Sequence, residues 1–93
     1  MNNLCSPTRD LVRSHVSRKC REAIAHAGLS PREVAELMGV HERLVYSWCS
    51  GERFPSFEKL LGLTALCDKS VAWLFGELDD LLDQFHPANR SAK

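Results

Sequence analysis

Thiols and imidazoles have the widest chemical range of any side chains in this chain, as metal ligands, nucleophiles and general bases, and there are four of each. Their spacing supports none of these roles. A zinc site asks for a cysteine pair about two to four residues apart with a second ligand pair beyond it. Cys5, Cys20, Cys49 and Cys67 are never closer than 15 residues. His15, His26, His41 and His86 form neither a His-x-x-x-His nor a Cys-x-x-His pattern. No metal, cofactor or catalytic nucleophile is expected, and the chain is not expected to be an enzyme.

The second available chemistry is ionic. Twelve Lys and Arg balance twelve Asp and Glu, but they are distributed unevenly. Arg9, Arg13, Arg18, Lys19 and Arg21 face only Asp10 in the first part of the chain, whereas Glu77, Asp79, Asp80 and Asp83 stand together near its end. Such a dipolar chain can offer a basic face to an anionic partner despite zero net charge. The simpler reading of either patch is a solvated helix face.

These side chains must be positioned by helices. No segment keeps a period-2 apolar alternation, so strands are not expected. The expected fold class is all-α. Ser6-Pro7 opens helix 1, on which Val12, Val16, Cys20, Ala23, Ile24 and Ala27 share a face until Gly28. Ser30, Pro31 and Glu33 form a capping box before Val34, Leu37 and Met38, and Gly39 stops this second helix. A third begins near His41, carries Leu44, Val45 and Trp48 inward and ends by Gly51. Ser56 caps a fourth with Phe57, Leu60, Leu61, Thr64 and Leu66 inward, and Ser70 caps a brief fifth ending at Gly76. Leu78, Leu81, Leu82 and Phe85 then recur at i, i+3, i+4 and i+7 as a short amphipathic helix, ended by His86-Pro87.

At 93 residues the chain fits a single domain with one modest core. A hydrophobic fraction of 44% against 26% charged residues is that of a folded protein rather than a disordered one. The longest uncharged apolar runs, such as residues 71 to 76, fall far short of the roughly 20 residues that span a bilayer. No apolar stretch follows the first arginines, as a secretory signal would require. A cytoplasmic location with reduced thiols and no membrane contact is expected.

Residues 31 to 50 are the informative segment. Two helices that cross at a tight turn need a small residue at the crossing, a glycine in the turn and apolar residues at later fixed offsets. Ala35, Gly39, Val40, Val45 and Trp48 meet these needs. The flanking residues carry a resemblance. Gly28-Leu29-Ser30, Glu33-Val34-Ala35-Glu36, Met38-Gly39-Val40, Trp48 and Ser50-Gly51 resemble the helix-turn-helix family of phage Cro proteins and lambda-type repressors, also called the xenobiotic-response-element type. Pro55-Ser56-Phe57, Leu60, Leu63, Leu66 and residues 70 to 76 look like that family's fourth and fifth helices. The likeness covers about residues 16 to 76. It departs at Pro31, where the family usually has Gln, and at Ile24 and Cys49, where members often carry an Arg and Glu pair.

The resemblance implies a five-helix, lambda-repressor-like DNA-binding domain over residues 6–76. Residues 77–93 follow as an amphipathic helix and tail. It further implies a regulator that binds double-stranded DNA, most simply a phage- or prophage-type repressor on a palindromic operator. In that geometry helix 3 enters the major groove and presents His41, Glu42, Arg43, Tyr46 and Ser47. Arg43 can hold guanine O6 and N7, Glu42 can accept from cytosine N4, and Ser47 can pair with several bases. Glu42 has an equally good explanation as a carboxylate favoured at a helix amino terminus. Tyr46 can touch a thymine methyl or a phosphate. By the same resemblance Ser30, Arg32, His41, Ser50, Arg53 and Lys59 are phosphate contacts. Arg18, Lys19 and Arg21 read more simply as solvated charge. A homodimer is expected, with the Leu78, Leu81, Leu82, Phe85 stripe as its interface, although that stripe can equally fold back on its own core. Two other readings share the fold. One is a short activator whose acidic helix touches RNA polymerase, and the other an antitoxin-like module covered by a small protein partner.

Overall fold

A computed structural model describes residues 7–83. Ser6, Cys5, Phe85, His86 and the tail named above lie outside the described residues. Within them the chain is all helical, without a strand: α1 (Pro7–His26), α2 (Pro31–Met38), α3 (Glu42–Ser50), α4 (Phe57–Leu66), α5 (Val71–Phe75) and α6 (Leu78–Leu82). Five helices build the domain and the short α6 packs onto α1.

The long α1 is the platform, with α3, α4 and α6 all lying against it. Val16, Cys20, Ala23 and Ile24 project into the core at the expected spacing, and Val12 and Ala27 pack at its edge. They meet Val34 and Ala35 of α2, Val45 and Trp48 of α3, Leu60 and Leu63 of α4, then Cys67 and Leu74. Trp48 is the largest fully buried side chain, so truncating it to alanine should cost about 3–5 kcal/mol.

Local chemistry fixes the helix ends. Ser30 Oγ accepts from the Glu33 amide at 3.1 Å, and the Ser30 amide donates back to Glu33 Oε1 at 2.8 Å, closing the expected capping box. Ser56 and Ser70 cap α4 and α5 in the same way, with bonds to the Lys59 and Trp73 amides. Gly39 stops α2 at φ 72°, ψ 33°, which lets the Val40 amide turn back to Ala35 O at 3.0 Å.

Two expectations are corrected. On α4, Leu60, Leu63 and Thr64 face inward, while Phe57 and Leu61 are 66% and 37% exposed. The helix is apolar on two faces, and packing against α1 and α2 selects one of them. Leu37 of α2 also points outward, at 62% exposure. Of the stripe read as a dimer interface or as a fold-back onto its own core, Leu78 is buried within its own chain, and Leu81 and Leu82 are half-buried.

Arg9, Arg13 and Arg21 of α1 are exposed, whereas Arg18 and Lys19 are tied into an ion-pair network. Arg18 Nη2 donates to Glu77 Oε1 at 3.0 Å and Nη1 to Glu22 Oε2 at 3.4 Å. The buried Lys19 places Nζ 3.8 Å from both Glu22 and Glu77 and 4.4 Å over the Trp73 ring. The Arg18 hydrogen bond, then the charge of Lys19, hold the Glu77 carboxyl below its usual pKa. His15, buried beside them, accepts from Arg18 Nη2 at Nδ1, 3.3 Å, so its proton sits on Nε2 and is donated to Leu74 O at 2.7 Å. Sequence reading gave His15 no role. This network ties α5 and α6 to α1.

Candidate nucleic-acid interface

The site is built on α2, the turn after it, and α3. Ala35 at the crossing is 3% exposed, which permits close approach of the two helices, and Val45 and Trp48 seat α3 on α1. The start of α3 is closed by His41, whose Nδ1 accepts from the Arg43 amide at 3.1 Å. His41 is therefore the cap of α3.

Along the outer side of α3, side chains meet in three adjoining concavities. The first is lined by His41, Glu42, Arg43 and Tyr46. The second is lined by His41, Arg43, Leu44, Ser47, Glu52 and Arg53. The third continues from Arg53 through Phe54 and Ser56 to Lys59, over Leu44 and Trp48. Seven of the ten residues expected to touch DNA thus share one continuous surface: His41, Glu42, Arg43, Tyr46, Ser47, Arg53 and Lys59.

They differ in how free they are. Arg43 and Arg53 are exposed, Tyr46 is 52% exposed, and Glu42 and Lys59 are half-buried. Ser47 corrects the expectation of an outward side chain: it is 5% exposed and donates to Leu44 O at 2.6 Å. A short hydroxyl on a helix satisfies itself on the preceding turn and does not reach outward. Ser30, Arg32 and Ser50 do not line this surface. Ser30 is engaged in the capping box, Arg32 pairs with Glu36 at 3.9 Å, and Ser50 Oγ donates to Ser47 O and accepts from the Glu52 amide, both at 3.2 Å.

The far end of α3 holds a contact that sequence reading missed. Arg21 Nη1 donates to Cys49 O at 2.6 Å, one helical turn before Ile24 on α1. The α1-to-α3 link that an Arg and Glu pair would make is thus supplied by an arginine and a backbone carbonyl. Burial pushes the Cys49 thiol up, and the Cys20 thiol to about 12, so both are protonated at neutral pH. Among the described residues no group of three or more His, Cys, Asp or Glu could hold a metal ion. Nor is any helix there long and apolar enough to cross a membrane.

A capped helix pair joined through a left-handed glycine, with Arg43 and Arg53 exposed along the second helix and the loop after it beside Glu42 and Glu52, suits the major groove and its phosphates. The family comparison agrees, since the Helix-turn-helix family model matches residues 18–74. The chain belongs to the helix-turn-helix family. No match was found among curated proteins or among solved structures. The matched segment runs from the middle of α1 through α5, so the helix-turn-helix domain contains the whole surface just described. It is a domain of the kind that binds DNA in transcriptional regulation.

Proposed function

We propose that this helix-turn-helix protein is a sequence-specific DNA-binding regulator of the Cro and lambda-repressor type. In this reading it is a phage- or prophage-type repressor that works in the cytoplasm as a dimer on a palindromic operator. The observation that carries the proposal is the exposed Arg43 on the first turn of a helix whose flanks bring His41, Arg53 and Lys59 into one surface. Arg43 holds a guanine, Tyr46 touches a base or phosphate beside it, and Arg53 and Lys59 follow the backbone. His41, Ser30, Arg32 and Ser50 add phosphate contacts where their local bonds permit. Glu42 accepts from a cytosine or only complements the helix dipole. Ser47 contributes to base reading only through the edge it leaves in the concavity.

A single such helix covers few base pairs, and the dimer supplies the rest. The half-buried Leu82 belongs to the part of the α6 stripe proposed to meet a second copy. Glu77, one of the four acids an activator would turn toward polymerase, is paired with Arg18 and Lys19.

Selection from a random duplex library at near-physiological salt tests the proposal. The expected product is a palindrome with half-sites about one helical turn, roughly 10 base pairs, apart. Enrichment of no motif by folded protein overturns it.

A further inference from the structure

The carboxyl end of α3 poses a hydrogen-bonding problem. The last carbonyls of a helix have no intrahelical donor and carry the negative end of its dipole. Ser47 O takes the Arg53 amide at 3.1 Å and Trp48 O takes the Gly51 amide at 3.3 Å. Cys49 O would use the Arg53 amide in a continuing helix, but that amide has turned back to Ser47. Its donor comes from another helix instead: the Arg21 guanidinium, at 2.6 Å, which also lies 3.5 Å from Ser17 Oγ. A charged donor at that distance on a helix carboxyl end is short, directional and favourable. Gly51 lies beside the same stretch of α1, where an added Cβ would stand 3.6 Å from Ser17 Oγ.

Val16 and Cys20 of α1 share one buried apolar cluster with Val45 and Trp48 of α3. Side-chain packing there limits the rotation and tilt of α3, and a directional charged bond at its carboxyl end restricts them further. The amino end of α3 is fixed by the Gly39 turn, the Val40 bond to Ala35 and the His41 cap. Its carboxyl end is fixed to the platform by Arg21.

We infer that Arg21 is a positioning residue for DNA reading: by clamping Cys49 O to α1 it sets the angle at which α3 presents Arg43 and Tyr46. This rests on the DNA-reading function proposed above. Arg21 acts through backbone geometry rather than by neutralising a phosphate, and the two roles have different signatures. A phosphate contact contributes to all sequences and to the salt dependence, whereas a positioning contact contributes to the preferred sequence alone.

The test uses the full chain and its Arg21→Ala variant. Kd is measured for the wild-type selected sequence and for a random duplex, each across a salt series, with amide exchange followed in the free proteins. Arg21→Ala is expected to lower the ratio of random to selected Kd about tenfold, the scale of one charged hydrogen bond, with the salt slope unchanged. The Gly51 and Arg53 amides, which close the end of α3, are expected to exchange faster. An unchanged ratio, a slope smaller by about one, or unchanged exchange at these amides overturns the inference. If Arg21→Ala does not fold, Arg21→Lys keeps the charge but loses the planar fork, and a fall in the ratio of about threefold at constant slope is expected from it. A wild-type protein without sequence preference would defeat the function proposed above, and the exchange measurement then decides the Arg21 clamp by itself.

Discussion

Replacing Gly39 by alanine isolates the turn on which the interface depends. Gly39 sits at φ 72°, and a Cβ built there meets nothing within 4 Å. The cost is therefore conformational and not steric. A left-handed alanine costs about 1–2 kcal/mol, and the lower entropy of its unfolded chain returns about 0.4–1 kcal/mol. The net loss is about 1 kcal/mol, which lowers Tm by about 4–8 °C for a domain of this size. Gly39→Asn should recover much of the loss, because a short polar side chain tolerates the left-handed region. Thermal and urea unfolding of the three proteins measure this directly. A Gly39→Ala protein within 1 °C of wild type would refute the argument, since the turn would then not need that backbone conformation. So would a loss above about 4 kcal/mol, which requires a steric clash that the open surroundings of Gly39 do not contain.

Two further outcomes follow from the packing of α1. Arg18 and Lys19 hold the Glu77 carboxyl below its ordinary pKa of 4.5, so its contribution is complete above that pH and is lost as pH falls through the lowered folded value. The stability difference between wild type and Glu77→Gln should accordingly be present at pH 7 and vanish in acid; a difference independent of pH contradicts the ion pair. Brief alkylation of the folded protein near pH 8, mapped by mass spectrometry, should modify Cys49 before Cys20, because Cys49 is half-buried and Cys20 is 1% exposed with its thiol pushed up to about 12; the reverse order contradicts this packing.

What could be read from the sequence was mostly local. Ser30 with Glu33, Gly39, Ser56 and Ser70 each fix a helix end by bonds spanning three to five residues, and those ends lie where the residues indicate. The inward face of α1 was equally legible, since its apolar residues keep one period. Long-range choices were not. Arg18 meets Glu77 59 residues away, and no spacing announces that pairing. On α4, Phe57 and Leu61 compete with Leu60 and Leu63 for the core, and only the packed neighbours decide between them. The outward side of α3 was legible in the same way: Arg43 and Tyr46 are exposed because Val45 and Trp48 take the inward side of that helix. Ser47 was not, because a serine suits either face, and the role of Arg21 depends on a backbone carbonyl that carries no side-chain signal.

The central claim is that α3 reads sequence through Arg43 while Arg53 only follows the backbone. Repeating the binding measurement with Arg43→Ala and Arg53→Ala, on the selected duplex and on random DNA, tests it most directly. Arg43→Ala should cost about 1–3 kcal/mol on the selected sequence, leave random DNA nearly unchanged and relax selection at one base pair per half-site. Arg53→Ala should weaken both duplexes alike and reduce the salt slope by about one. Equal losses on both duplexes for Arg43→Ala would contradict base reading by this residue.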